Sequence, residues 1–478
     1  MKSVWTESCQ IQERGPLNGD ITVEIAVIGA GIAGLLAASA LQRAGRQVVV
    51  LEANRIASGQ TRNTTAKITS QHGMIYRRLR STLGRDKAKQ YAMANEAALE
   101  EYRRLIRMEN ISCSFESRNA YVYGDDSKRL QEEAEAAASL GLPASFARET
   151  ALPFATAGAV CFAHQAQFHP LQFLSHIAQP LTVYENTPVL SVEGELIETA
   201  KGQVRAKQII FACHYPFINF PGMYFARMHQ ERSYVLALEN AGQVDGMWIG
   251  TEAGAYSFRN HGALLLLGGG GHRCGENSAG GRYEQLRQVA EKWFPGSREI
   301  AHWSAQDCMT ADNVPYIGRF AKSRPDWYVA TGFQKWGMTS AMVSAMLLCD
   351  LICGVENPWA EVFDPGRFDA AMVPGVAAQG GQAVKGLAKA IFQLPAAQAA
   401  EIPNGHGGIV FLHGEKVGVY KDEHGHIYPV DTRCPHMGCQ LEWDPDEHSW
   451  DCPCHGSRFD CMGHLISGPA QENLPHGK

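Results

Sequence analysis

The sequence predicts an α/β domain at one end and a small all-β domain at the other. Three observations predict it: a strand–glycine turn–helix unit near residue 29, a stretch of small residues near 375, and closely spaced short strands beyond 401.

In the first of these, Thr22–Ile28 is rich in β-branched residues and reads as a buried strand. It runs into Gly29-Ala30-Gly31-Ile32-Ala33-Gly34 and then an apolar helix, Leu35–Leu41, while a second strand, Gln47–Leu51, ends at Glu52. This is the context a dinucleotide fold requires of G-x-G-x-x-G. Gly29 permits the tight turn, Gly31 lets the backbone approach a pyrophosphate, and Gly34 lets helix and strand pack closely. The helix N-terminus offers N–H groups and a positive dipole end to the phosphates, and Glu52 is placed to accept from ribose hydroxyls. FAD and NAD are both compatible with that fingerprint.

Met372–Gly381 reads as a linker, and Ala383–Phe392 as a short helix after it. Beyond it, Gly408–Leu412, Lys416–Tyr420 and His426–Val430 are short strands separated by turn residues. They lead to Cys434-Pro435-His436 and, after fifteen residues, Cys452-Pro453-Cys454-His455. C-x-H followed by C-x-x-H is the ligand set of a Rieske [2Fe-2S] cluster, with two thiolates on one iron and two imidazoles on the other. Zinc takes the same donor atoms, but structural zinc sites usually pair Cys with Cys and His with His. The expected ligands are therefore Cys434, His436, Cys452 and His455.

Composition excludes several classes. With 478 residues, 45% of them hydrophobic, the chain has room for two or three domains. The net charge of −6 argues against a nucleic-acid binder. No apolar run reaches the roughly eighteen residues that span a bilayer, so no membrane span is expected and a cytoplasmic location is the default. Thirteen cysteines scattered along the chain do not make a secreted disulfide framework; Cys113, Cys161 and Cys353 read as small buried hydrophobes.

The C-terminal loops resemble those of cytochrome bc-type Rieske proteins, C-T-H-x-G-C and C-P-C-H-G-S, which stand here as Cys434–Cys439 and Cys452–Ser457. The resemblance implies a disulfide between Cys439 and Cys454, and it implies that the Ser457 hydroxyl bonds a cluster sulfur. Gly468-Pro469-Ala470, followed by Asn473-Leu474, matches the proline loop that covers the cluster. Where the family has a tyrosine the chain has Phe459, and one hydrogen bond fewer to sulfur implies a lower potential.

Residues 20–365 resemble the D-amino-acid oxidase/glycine oxidase superfamily of FAD enzymes. The resemblance rests on Arg55–Lys67, Phe168-His169-Pro170, Thr187-Pro188-Val189, Ile209–Cys213, Trp303–Gly318, Gly332-Phe333 and Gly337-Met338-Thr339. It implies an FAD-binding Rossmann-like α/β domain with an interleaved α+β substrate domain, ahead of the all-β Rieske domain. It also carries the flavin-contacting roles onto Thr65, Ala66, Lys67, Val189, Ala212, Gly318, Gly337, Met338 and Thr339, beside Gly29, Gly31, Gly34 and Glu52. Departures bear on substrate: within Trp303–Gly318, Ala305, Asp307 and Cys308 stand where the superfamily's signature W-x-G-x-R-P has glycine, arginine and proline. An aspartate cannot clamp a substrate carboxylate. Either Arg227, Arg259 or Arg319 supplies the clamp, or the substrate is an amine without a carboxylate. Cys308-Met309 also matches the C-M segment through which sarcosine-oxidase relatives attach flavin. No catalytic residue is assigned.

The expected organisation is an FAD-dependent oxidoreductase region at 1–370, a linker at 371–400 and a Rieske domain at 401–478. This layout resembles bacterial proteins that join a glycine/D-amino-acid dehydrogenase-like domain to a Rieske domain. The expected function is oxidation of a small amine or amino acid at FAD, with electrons leaving through the cluster to an external acceptor, a small protein or a quinone-like molecule. Two alternatives stand beside it: a non-catalytic redox sensor or electron carrier, and a Rieske-type oxygenase, for which His164 and His169 have a tempting spacing but no Asp or Glu just upstream.

Overall fold

The computed structural model describes residues 2–252, 254–367, 377, 381, 401–412 and 415–475. The helix expected at 383–392, and nearly all of the linker expected at 371–400, lie outside the described residues.

The β-branched run forms the strand Ile21–Ile28, whose last four residues are buried on both faces. It pairs in parallel with Val48–Leu51 on one side and Gly202–Phe211 on the other, and Ile28 sits opposite both Leu51 and Phe211. These strands are the centre of an eight-stranded sheet that extends through Arg324–Thr331 to Tyr316–Ala321 at one end and to Thr182–Tyr184 at the other. Parallel strands buried on both faces need helices above and below. Helix Ile32–Arg43 packs on helix Gly337–Cys353, and that helix packs on Gly84–Met108.

A nine-stranded, mostly antiparallel sheet forms the interleaved second layer. Its order runs Arg298–Thr310, Met228–Glu239, Leu264–Arg273, Ser257–His261, Met247–Gly250, Glu116–Tyr123, Ala159–Gln167, Lys67–Ile68. The helix Pro170–Ile177 packs on the nucleotide-domain helix Ile32–Arg43. Its N-cap is His169, whose Nδ1 accepts from the Gln172 N–H.

The C-terminal part is all β, with a three-stranded sheet (His406–Leu412, Glu415–Lys421, Ile427–Val430) and a four-stranded one (Glu442–Asp444, Ser449–Asp451, Arg458–Asp460, Leu465–Ser467). It docks on the nine-stranded sheet through buried charge. Arg232, with no exposed surface, donates to Asp444 (2.9 Å), Asp451 (2.6 Å) and Gln306 Oε1 (3.0 Å). Asn277 bonds both Asp444 (3.0 Å) and Asp446 (2.9 Å), and the Tyr283 hydroxyl donates to Glu447 (2.7 Å).

Candidate functional site

A cavity of about 930 Å³ opens where the two sheets meet the C-terminal domain. At one end lies the glycine turn. Gly29 holds φ +106°, and a Cβ there would stand 2.7 Å from the Ala212 carbonyl oxygen. A Cβ at Gly34 would fall 1.9 Å from the Gly29 carbonyl oxygen, so this glycine permits the helix–strand contact. Gly31 differs: only Thr61 Oγ1, at 3.4 Å, is near its Cβ position, and the open space faces the cavity. Thr61 Oγ1 also accepts the Ile32 N–H (3.0 Å) at the helix start. The Glu52 carboxylate accepts from the Ala30 (2.7 Å) and Asn54 (2.9 Å) N–H groups. Burial raises its pKa, and those two donors oppose the shift.

Gly29, Gly31, Glu52, Thr65, Lys67, Val189, Ala212, Gly337 and Met338 all line the cavity. Four other residues of the expected cofactor site do not line it. Gly34 lies beneath the turn, and Ala66 is fully buried. Thr339 donates to the Thr69 carbonyl (3.1 Å), and Gly318 faces Pro365.

The far wall comes from the antiparallel sheet. Glu231 and Asp307 stand directly opposite each other on neighbouring strands, an arrangement that destabilises like charges. Lys335 offsets it, with Nζ 3.3 Å from Glu231, 3.7 Å from Asp307 and 3.3 Å from Ser233 Oγ. Burial pushes the Asp307 carboxyl up to about 6, whereas the hydrogen bond to His229 holds Glu231 near 2. Lys67 lines the cavity and donates to the Trp248 carbonyl (3.2 Å); burial, with Arg259 nearby, lowers it to about 7.

None of the three arginines considered as clamps lines this cavity. Arg259 donates to the Thr65 and Ala66 carbonyls (2.8 Å each), and Arg227 to those of Pro365 (2.7 Å) and Gly222 (2.9 Å). Arg319 is exposed on the edge strand Tyr316–Ala321. Cys308 points to the opposite face of its strand from Asp307, into an apolar cluster with Met228 and Tyr215, where its thiol donates to the His214 carbonyl (3.4 Å). Lys335, Glu231 and Ser233 were missed from sequence. Only strand register brings them together, although Lys335 stands two residues before Gly337.

The four expected cluster ligands also converge. Each loop is a tight turn closed by the N–H of a glycine four residues after its cysteine: Gly438 to Cys434 O (2.8 Å) and Gly456 to Cys452 O (2.9 Å). Both glycines have positive φ, 76° and 80°. The Cys434 and Cys452 thiols hydrogen-bond each other, which holds Cys434 down to about 7. The Nδ1 atoms of His436 and His455 lie 3.2 Å apart. The paired thiols and the paired imidazole nitrogens are the donor types of a cluster that takes sulfur on one iron and nitrogen on the other. Cys439 and Cys454 are at disulfide distance, and Ser457 bonds the Cys434 sulfur while accepting the Ala470 N–H (3.0 Å). Phe459 is fully buried in the domain core.

The two sites adjoin. Gln306 Nε2 donates to the Gly456 carbonyl (2.7 Å), and its backbone N–H donates to Gln60, which lines the cavity. Gln230 Nε2 donates to the His455 carbonyl (2.6 Å). Tyr215 lines the cavity, and its ring centre is 6.3 Å from that of His455. Gly468–Gln471 also form part of the cavity wall.

Comparison with known proteins agrees with this geometry. The family model for FAD dependent oxidoreductase matches residues 24–351, and that for the Rieske [2Fe-2S] domain matches 392–477. The chain belongs to the FAD-dependent oxidoreductase family and carries a Rieske domain. The first domain binds FAD and the second a [2Fe-2S] cluster. The Bacillus subtilis (strain 168) protein YhfW, whose name describes a Rieske 2Fe-2S iron-sulfur protein, is 35% identical over 99% of this chain and 97% of its own. The cytochrome b6-f complex iron-sulfur subunit of Chlorobaculum tepidum is 35% identical over 17% of this chain and 44% of its own. Among solved structures, L-proline dehydrogenase from P. horikoshii superposes with a TM-score of 0.61 at 19% identity, over 74% of this chain and 98% of that one. Glycine oxidase from Geobacillus kaustophilus gives 0.59 at 16%, over 73% and 99%. At these identities the structural likeness speaks for the fold. Among the described residues, no helix is long and apolar enough to cross a membrane.

Proposed function

We propose that the chain is a cytoplasmic amine dehydrogenase in which substrate is oxidised at FAD and electrons leave through the Rieske cluster to an external acceptor. Bound FAD accepts a hydride equivalent, and a Rieske cluster carries single electrons. The observation that carries the reading is Tyr215, one side chain that forms the cavity wall and also meets the ring of His455.

The chain's own residues suit an amine. Asp307 and Glu231 present two carboxylates to the cavity, and among the described residues no arginine lines it to grip a substrate carboxylate. Lys67 and Lys335 are its cations, and Lys335 is already shared between the two acids. Lys67, lowered to about 7, can take up or release a proton at neutral pH. The cluster ligands are Cys434, His436, Cys452 and His455, and the domain divisions are those given above. Nine of the thirteen cysteines are neither cluster ligands nor part of the Cys439–Cys454 pair, which favours a reducing compartment. His169 is taken up as a helix cap and partner of Ser8 Oγ (2.9 Å), which leaves an oxygenase iron site without support.

Anaerobic screening of amines and amino acids for loss of the yellow flavin absorbance tests this. Bleaching by an amine, with α-amino acids inactive, is the expected result. Bleaching only by α-amino acids contradicts the amine reading, and a screen with no bleaching at all favours a sensor or carrier.

A further inference from the structure

The imidazoles of His436 and His455 turn their Nδ1 atoms toward each other, 3.2 Å apart. If those nitrogens hold iron, each Nε2 must carry a proton and needs an acceptor. In a free-standing Rieske domain the acceptor would be solvent or an incoming molecule. Here the flavoprotein domain supplies it. His436 Nε2 lies 2.8 Å from Asn219 Oδ1, and the Phe225 backbone carbonyl is the hydrogen-bond partner of His455. His455 is 3% exposed and is packed edge-on to the Phe225 ring at 6.1 Å. Asn219 and Phe225 belong to one loop that follows the central strand Gly202–Phe211. The loop leaves the flavin cavity at Ala212–Tyr215 and ends at the cluster.

We infer that Asn219 is a positioning residue of the cluster, a built-in acceptor for the His436 N–H that sets the cluster's potential and keeps that N–H from any external quinone. The inference rests on the cluster assignment above. Its chemistry is that of an outer partner to a metal-bound imidazole: a carbonyl acceptor draws the Nε2 proton, makes the ring a stronger donor to iron, and favours the oxidised cluster. A carboxylate in its place does so more strongly. A loop that also lines the flavin cavity therefore fixes both the position and the electronic character of the nearer imidazoles. Buried contacts on the other side, Arg232 with Asp444 and Asp451, hold the domain in that register.

The experiment compares the wild-type holoprotein with Asn219→Leu and Asn219→Asp by iron content, by EPR of the dithionite-reduced state, and by redox titration of the cluster. Asn219→Leu is expected to raise the cluster potential and Asn219→Asp to lower it, both with two irons per chain and shifted g values. In a second arm, a hydroxynaphthoquinone is added to the reduced protein. It is expected to leave the wild-type EPR spectrum unchanged and to alter that of Asn219→Ala, where space and a free N–H become available. Potentials and spectra of Leu and Asp variants identical to wild type would overturn the inference, as would a quinone-induced change in the wild type. Absence of any Rieske-type signal from the iron-loaded wild type would overturn the cluster assignment itself. If Asn219→Leu fails to fold, the near-isosteric Asn219→Asp still decides the sign of the shift.

Discussion

Replacing Arg232 by leucine tests how firmly the cluster domain is held. The guanidinium has no exposed surface and contacts two carboxylates, Asp451 at 2.6 Å and Asp444 at 2.9 Å, with Gln306 as a third acceptor. Asp451 retains Arg458 at 3.4 Å, but Arg232 is the cation among the ion pairs of Asp444 in the described residues. Removing one partner of a buried ion pair costs about 3–5 kcal/mol, because the remaining charge is stranded away from water. At 1.4 kcal/mol per factor of ten, that is roughly a 10²–10⁴-fold shift toward the undocked domain. Urea titration reads it out, with flavin and cluster absorbance followed separately. Wild type is expected to lose both signals in one transition, whereas the variant should lose cluster-domain docking at lower urea than the flavin domain unfolds. Adding Asp444→Asn and Asp451→Asn to Arg232→Leu should recover much of the loss, since no charge is then left unpaired. A single transition in Arg232→Leu with a midpoint like the wild type's would refute the argument.

Other outcomes follow from the same geometry. Gly31→Ala should fold normally but bind FAD at least about tenfold more weakly, a loss of ~1.4 kcal/mol, because its new methyl points into ligand space. Gly34→Ala should lose fold and flavin together, since its methyl meets the Gly29 carbonyl; circular dichroism and bound-flavin absorbance separate the two cases. With Asp307 ionising at about 6, kcat/KM for an amine should fall about tenfold per pH unit below that value, because only the carboxylate attracts the cation. Asp307→Asn should flatten this acidic limb. Ser457→Ala should lower the cluster potential by removing a hydrogen bond to sulfur, and Phe459→Tyr should raise it by adding one, as read by redox titration.

Both cofactors were legible in the sequence because each candidate site is encoded locally. A strand, three glycines and a helix fix the turn at Gly29–Gly34 within one stretch, and each cluster loop places its ligands within four residues of a closing glycine. The wall facing the flavin was only half legible. Asp307 stood out as a departure from a family signature, but its partners depended on the pairing of Glu231 with Asp307 across strands and on Lys335 reaching in from a third segment. No periodicity encodes that register. The docking surface was silent for a related reason: Arg232 and Asp444 are ordinary charges in sequence, 212 residues apart, and acquire meaning only when folding buries them together. The Asn219 contact belongs to the same class.

Photoreduction of the flavin under anaerobic conditions tests the central claim most directly, because it needs no knowledge of the substrate. A light pulse with a sacrificial donor reduces the flavin, and rapid freezing at increasing delays samples the cluster by EPR. The account predicts that the reduced-cluster signal grows as the flavin gives up one of its two electrons to each cluster, without added mediator. A flavin that stays reduced beside a cluster that stays oxidised would contradict it.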